Sequence, residues 1–236
     1  MPDLSGFGTA VFAFGAAVTA GARGMNYLGM LIVGVFTAVG GGTLRDALLL
    51  PGVVASRGAL GCFWLCDTTY LTIALWASAA AVVLWPRITR KMLPEVTAAG
   101  SVEAVLPGWA WLDHLSLGTF AVMGARAGLL ANTALLGAVL CGGMTACGGG
   151  VVRDVLTGRP PRVLHSSAEM YLTPAFLGAA ACAGVTIVAA RRIPAGCQMG
   201  AVLEPVAAVL GVLVTVVGRA AAVRWDWRVP TMGGSR

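Results

Sequence analysis

The sequence predicts an all-α membrane protein with seven transmembrane helices. Of its 236 residues, 58% are hydrophobic and 11% are charged, whereas soluble domains carry about 25% charged residues. The mean hydropathy of +0.84 agrees with this composition. The apolar residues also lie in blocks long enough to cross a hydrocarbon layer about 30 Å thick, which takes about 20 helical residues.

Seven apolar segments follow one another along the chain, and we expect each to form one span. They cover residues 6–21, 27–50, 68–85, 113–130, 133–156, 171–190 and 200–218. The N-terminus has no basic region before the first segment, so we expect that segment to be an uncleaved insertion signal. The chain then divides into a first three-helix unit, a polar cytoplasmic linker, a second three-helix unit, and a seventh helix with a cytoplasmic tail, at residues 1–86, 87–112, 113–192 and 193–236.

One motif occurs twice, in the second and the fifth segment. Three glycines followed by an Arg-Asp pair appear first as Gly40, Gly41, Gly42, Arg45 and Asp46, and 108 positions later as Gly148, Gly149, Gly150, Arg153 and Asp154. Each glycine costs a helix about 1 kcal/mol relative to alanine, and three in a row let the backbone leave helical geometry. A break would expose backbone groups that lipid cannot satisfy, so it must face protein or water.

Two readings of the glycines are open. Each triplet could simply let two helices approach closely. Corresponding breaks in two helices are also typical of transport pathways, and we favour this second interpretation because the motif is repeated. The sequence therefore predicts that helices two and five are kinked at the glycines and line a pathway.

The two halves match outside the motif as well. Gly8-Thr9 in the first segment resembles Gly118-Thr119 in the fourth, and Tyr70-Leu71-Thr72 resembles Tyr171-Leu172-Thr173. Each half holds three spans in the same order, and an odd number of spans forces the second half into the membrane upside down. The expected architecture is two inverted three-helix repeats plus a seventh helix.

The charged residues of the motif are expected to pair between the repeats. Adjacent helical residues point about 100° apart, so an arginine should not face its neighbouring aspartate. We therefore expect Arg45 to pair with Asp154, and Arg153 with Asp46, or all four to set the electrostatics of the pathway. The ordinary alternative is that they extend to lipid headgroups at the membrane surface.

Acidic residues precede the matched tyrosines, as Asp67 before Tyr70 and Glu169 before Tyr171. At the two mouths of a pathway such acids would attract cations, although exposed loop carboxylates are equally common. Glu204 opens the seventh segment, where we expect a first-turn residue at the membrane surface rather than a pathway ligand.

Basic residues indicate the orientation. Outside the motif there are 14 lysines and arginines, of which 10 lie on the cytoplasmic side and 4 outside if the N-terminus is external. This bias predicts an external N-terminus and a cytoplasmic C-terminus. The cysteines form no metal-binding pair, and Cys62, Cys141, Cys147 and Cys182 are expected to be packing residues. We find no catalytic constellation, so we expect no enzyme activity, no cofactor, no metal site and no nucleic acid partner.

The doubled motif resembles that of the prokaryotic TRIC (trimeric intracellular cation) channels, bacterial members of which are also catalogued as glycine transporters. Further residues carry the resemblance: the Gly-Ala element that ends the first span, the proline and tyrosine between spans two and three, and Arg219 with Trp227-Arg228-Val229-Pro230 after the seventh span. It covers nearly the whole chain.

The resemblance implies a homotrimer in the inner membrane of a prokaryote, embedded in lipids. Each protomer would have its own pore for K⁺ and other monovalent cations such as Na⁺, running between the helices kinked at the triple glycines. The alternative is a secondary transporter for a small zwitterion such as glycine, because inverted repeats with broken helices serve carriers equally well.

Overall fold

The computed structural model describes residues 2–57, 62–99, 107–164, 172–192, 198–225 and 227. Within them it contains seven long helices and one short one. The helices are α1 (Pro2–Ala22), α2 (Tyr27–Arg57), α3 (Phe63–Cys66), α4 (Thr69–Ala99), α5 (Pro107–Leu130), α6 (Leu135–Leu156), α7 (Leu172–Arg192) and α8 (Gln198–Arg224), with a 3-10 turn at Arg162–Leu164. Each of the seven predicted segments corresponds to one long helix, although three of these helices begin one or two residues after the predicted start.

Six of the long helices are long and apolar enough to cross a membrane, namely α1, α2, α4, α6, α7 and α8. The remaining long helix, α5, carries Asp113, His114 and Arg126, which lower its hydropathy. An all-helical chain with this many apolar helices is a multi-pass membrane protein.

The helices extend beyond the apolar segments. Helix α2 continues past residue 50, through Pro51, to Arg57, and α4 continues to Ala99. Most of the predicted linker 87–112 is therefore helical, because α5 already begins at Pro107. The hydropathy pattern marks where the hydrocarbon layer ends, whereas a helix can continue into water. The short helix α3 was not predicted, since four residues give no periodic pattern.

Small side chains fill the interior of both halves. One cluster joins α1, α2 and α4 through residues such as Ala17, Met30 and Ala81, and another joins α5, α6 and α7. Helix α8 packs against α5 and α7. Three of the four cysteines predicted to be packing residues, Cys141, Cys147 and Cys182, are buried, whereas Cys62 is half-buried.

Both glycine triplets lie inside uninterrupted α-helix, in α2 and in α6. The expectation of broken helices with exposed backbone carbonyls and amides is therefore wrong at these residues. Three glycines weaken a helix, but tertiary packing supplies most helical stability in a folded protein. A bend without a break stays a prediction.

The first two glycines of each triplet, Gly40 and Gly41 in α2 and Gly148 and Gly149 in α6, form the contact between these helices. A Cβ atom at Gly41 would overlap the carbonyl oxygen of Thr145, and a Cβ atom at Gly149 would overlap the carbonyl oxygen of Thr37. The backbones therefore touch with no side chain between them. The glycines at this crossing are required for close approach.

The contacts also show that α2 and α6 run in opposite directions past each other. A Cβ atom placed on Gly40 would lie 3.0 Å from the Val152 side chain, and one placed on Gly148 would lie 3.1 Å from the Leu44 side chain. Along α2 the contact residues run from Gly40 to Leu44, while their partners in α6 run backwards from Val152 to Gly148. Each contact has a counterpart 108 positions along the chain.

The contact of α1 with α2 is repeated in the contact of α5 with α6, again at an offset of 108 positions. This offset differs from the alignment of the first and fourth spans expected from sequence. The site of a Cβ atom at Gly34 lies 2.8 Å from the Ala13 carbonyl oxygen, and the site at Gly142 lies 2.6 Å from that of Ala121. Gly34 and Gly142 are 108 positions apart, as are Ala13 and Ala121, whereas Gly8 and Gly118 are 110 apart. The sequence alignment of the first and fourth spans was therefore shifted by two residues, because a Gly-Thr pair carries little information.

We predict opposite effects of alanine at two glycines of the motif. Gly41→Ala places a methyl group against the Thr145 carbonyl oxygen, and such overpacking costs about 1–3 kcal/mol. Gly150→Ala meets only the Arg153 Nη2 atom, at 4.0 Å, and alanine is favoured in a helix by about 1 kcal/mol. Thermal unfolding of the purified variants in detergent should show a lower Tm for the first and an unchanged or higher Tm for the second. Equal losses of Tm would contradict the crossing described above.

Candidate functional site

A cavity of about 640 Å³ lies beside the crossing of α2 and α6. Its wall includes Gly41 and Gly42 from the first motif and Gly149 from the second, so it touches both copies. The other lining residues come from α1 to α6: Ser5, Thr9, Phe12, Thr37, Ala38, Arg45, Phe63, Cys66, Asp67, Tyr70, Phe120, Met123, Arg126, Ala127, Leu130 and Thr145. The glycines therefore both permit the crossing and line a cavity.

Related residues of the two halves meet in this wall. Phe12 and Phe120 are 108 positions apart, and their rings contact edge to face with centroids 5.2 Å apart. Thr37 and Thr145 stand one turn before Gly41 and Gly149, and each hydroxyl donates to the carbonyl oxygen four residues earlier, at 2.6 Å. Such threonine bonds often bend helices. Both threonines were missed from sequence, although their common spacing from the glycines could have identified them.

The expected pairing between the repeats does not occur. Arg45 donates to its neighbour Asp46, from Nε at 2.8 Å and from Nη2 at 2.6 Å, and Arg153 Nη2 lies 2.9 Å from Asp154 Oδ1. The reason lies in the opposite directions of α2 and α6. Arg45 is about one helical turn beyond the crossing on one side, and Asp154 is about one turn beyond it on the other. A long arginine side chain instead turns back to its neighbour.

Both pairs are buried within the protomer. The exposed fractions are 6% for Arg45, 3% for Asp46, 8% for Arg153 and 3% for Asp154. Extension to lipid headgroups is thus not seen for these side chains. Only Arg45 of the four lines the cavity. Arg153 and Asp154 lie in the last turn of α6. A turn through Gly158, which has a positive φ of 69°, ends the helix, and the Asp154 carbonyl oxygen accepts from the Arg159 backbone N–H at 2.7 Å.

The first motif also holds the short helix α3 over the cavity. Asp46 Oδ2 accepts a hydrogen bond from the Phe63 backbone N–H at 2.8 Å, and Trp64 Nε1 donates to Thr43 Oγ1 at 3.0 Å. The Arg45 guanidinium stands 5.4 Å from the centroid of the Phe63 ring, a cation–π distance. The ring itself lies on Gly42. The Arg-Asp pair therefore positions a segment that sequence reasoning overlooked.

Asp67 and Tyr70 line the same cavity, directly after α3. Hydrogen bonds from Thr69 lower the pKa of Asp67 below its ordinary value, so its carboxylate is charged at neutral pH. Tyr70 bonds to the Ser5 hydroxyl with 3.1 Å between the oxygens. Glu169 and Tyr171, expected at the other mouth, lie outside the described residues.

A second ion pair reaches the cavity from α8. Arg126, on α5, forms a salt bridge with Glu204. Glu204 was expected to be a first-turn residue at the membrane surface, but α8 begins at Gln198, so Glu204 lies in the second turn of that helix. Its side chain is about half exposed. Its contact with a cavity residue could not be inferred from sequence, because no pattern relates α5 to α8. Within the described part of the chain, no group of three His, Cys, Asp or Glu side chains could hold a metal ion.

We predict that Asp46→Ala releases α3. The variant removes the acceptor of the Phe63 N–H, and a hydrogen bond to a charged group contributes about 1.5–3 kcal/mol. Hydrogen–deuterium exchange of residues 62–67 should therefore accelerate about tenfold or more. Asp154→Ala is the matched control, because it removes the equivalent carboxylate from the other motif and should leave this exchange at the wild-type rate. An unchanged rate in Asp46→Ala would contradict the role of the first motif.

Comparisons with known proteins agree with this fold. A family model described as glycine transporter matches residues 4–86 and 110–186. The UPF0126 inner membrane protein YadS of Escherichia coli K12 is 34% identical over 226 residues, which are 95% of this chain and 92% of that protein. A UPF0126 membrane protein of Vibrio cholerae is 31% identical over 95% of this chain and 80% of its own length.

Solved structures with the same fold are TRIC cation channels. The structure of one TRIC cation channel matches with a TM-score of 0.75 and 27% sequence identity. The match covers 100% of this chain and 98% of that channel. The trimeric intracellular cation channel orthologue from Rhodobacter sphaeroides has a TM-score of 0.70 and 28% identity over 94% and 96% of the two chains. These relatives are membrane proteins and channels rather than enzymes. The chain therefore belongs to the membrane-protein family that the glycine-transporter model describes, which is the family of the prokaryotic TRIC channels.

Proposed function

We propose that the protein is a monovalent cation channel that conducts K⁺ through the cavity beside the α2–α6 crossing. The observation that carries the proposal is that glycines from both copies of the motif line one cavity in a chain with the fold of cation channels. Each protomer has its own pathway, and the functional unit is a homotrimer, as the name of the Rhodobacter sphaeroides relative says of that protein.

The proposed architecture has seven spans, with α1, α2 and α4 as one repeat and α5, α6 and α7 as its inverted copy. The reciprocal contacts of α2 and α6 support the inversion, because equivalent helices of inverted repeats run in opposite directions. Ser78 and Ala179, which pack against Gly34 and Gly142, are 101 positions apart. This is also the separation of Tyr70 and Tyr171 in the sequence alignment.

We propose that the chain lies in the inner membrane with its N-terminus outside. The excess of basic residues on the cytoplasmic side supports this orientation, and the YadS relative is an inner membrane protein. Asp67 then acts at one mouth of the pathway, where its charged carboxylate attracts cations. Bends at the threonine-glycine elements of α2 and α6 would widen the pathway without breaking either helix.

The second candidate function is the transport of glycine or a similar small zwitterion. The description of the matching family model favours it, and a cavity of about 640 Å³ is large enough for an amino acid. The arginines that line the cavity could bind a carboxylate. The two functions can be distinguished by current: a channel conducts ions when no glycine is present, whereas a glycine carrier does not.

We predict channel currents from the purified protein in a planar lipid bilayer. Under a KCl gradient, unitary currents should reverse near the K⁺ equilibrium potential, because a cation pathway lets K⁺ set the voltage. The parallel measurement is uptake of radiolabelled glycine into liposomes that contain the same preparation. Electrically silent protein with saturable glycine uptake would overturn the channel and establish the carrier.

We also predict that modification of Cys66 reduces the unitary conductance. The Cys66 thiol is exposed and lines the cavity, so a methanethiosulfonate reagent with a fixed positive charge would add bulk and repulsion to the pathway. Cys66→Ser is the control and should be insensitive to the reagent. Unchanged conductance after complete modification of Cys66, verified by mass spectrometry, would place the pathway elsewhere.

A further inference from the structure

The cavity contains more positive than negative lining groups. Among the residues that the structure describes, the charged ones in its lining are Arg45, Arg126 and one carboxylate, Asp67. A permeating cation would meet two guanidinium groups, each of which repels it. A cation-selective pathway through this cavity therefore needs carboxylates that pair with the two arginines and offset their charge.

Arg45 has such a carboxylate in its own motif. Asp46 accepts from it at 2.6 Å in a buried pair. The carboxylate that contacts Arg126 comes from elsewhere, because Glu204 belongs to α8 and lies 78 positions further along the chain. Helix α8 is not part of either proposed repeat.

Arg126 stands where two cavities adjoin. Besides the central cavity it lines a smaller apolar one of about 150 Å³, which is bounded on its other side by Ala208, Val212 and neighbouring residues of α8. Ser5 and Met123 also belong to both walls. Glu204 thus reaches the Arg126 guanidinium from the α8 side of the wall rather than from the pathway.

We propose that Glu204 is a specificity-determining residue of the pathway. By pairing with Arg126 it offsets the charge of this arginine and holds the guanidinium at the wall, so that the cavity favours cations over anions. This inference rests on the proposed channel function. It assigns the seventh long helix an electrostatic role that the two repeats do not supply.

The expected effect is large enough to measure. One unit charge about 6 Å from a permeating ion changes the occupancy of that ion about 3-fold in a water-like dielectric and about 100-fold at an effective dielectric constant of 20. Glu204→Gln should therefore lower the ratio of K⁺ to Cl⁻ permeability by a factor in this range. High ionic strength should reduce the effect.

The experiment measures reversal potentials in planar bilayers under a KCl gradient of about tenfold. We expect Glu204→Gln to shift the reversal potential away from the K⁺ value, and we expect Glu204→Asp to retain the wild-type value. Removing both charges, with Arg126→Gln and Glu204→Gln together, should restore K⁺ selectivity. Arg224→Gln is the control, because it removes an exposed charge from the far end of the same helix and should leave the reversal potential unchanged.

A reversal potential does not depend on how many channels are active, so a variant that merely folds less well leaves it unchanged. Wild-type selectivity in Glu204→Gln would overturn this inference while leaving the channel function intact. A lower K⁺ selectivity in Arg126→Gln alone would overturn the inference as well. This variant tests the inference if Glu204→Gln yields no protein. Wild-type protein without currents would instead overturn the proposed function itself.

Discussion

The constraint on which this structure depends is the direct backbone contact of α2 and α6. At Gly41 and Gly149 neither helix has room for a Cβ atom, because the carbonyl oxygens of Thr145 and Thr37 occupy that space. The contact fixes how the two halves meet, and the cavity lies beside it. Close helix packing and the lining of a cavity are two consequences of the same glycines. A crossing without side chains brings the helices together and also leaves glycine surface on the cavity wall.

The directions of the two helices explain why the two motifs differ in use. Because α2 and α6 run oppositely, the Arg-Asp pairs lie on opposite sides of the crossing and each pairs locally. The first pair lies next to the cavity and holds α3 through Phe63. The second pair lies outside that cavity, at the end of α6. A sequence repeat can therefore produce an asymmetric site, since each copy meets different neighbours.

Several features of the fold could be predicted from sequence, and the rest required three-dimensional contacts. Blocks of apolar residues located the seven long helices, and the doubled motif located the glycines of the cavity wall. The local pairing of Arg45 with Asp46 was missed because adjacent helical residues were treated as unable to meet, although an arginine side chain is long enough to turn back. Helix α3 and the contact of Arg126 with Glu204 depend on residues distant in sequence, which no periodicity relates.

The state of the arginines bears on the choice between channel and carrier. A glycine carrier would use a guanidinium group to bind the substrate carboxylate. In the cavity, however, Arg45 is already engaged by Asp46 and Arg126 by Glu204. A zwitterion would have to displace a carboxylate of the protein, and separating the buried pair of Arg45 would leave an uncompensated charge, at a cost of about 3–5 kcal/mol. A K⁺ ion needs no such exchange, because it requires only that the arginines remain neutralised. The ion pairs therefore favour cation conduction over substrate binding.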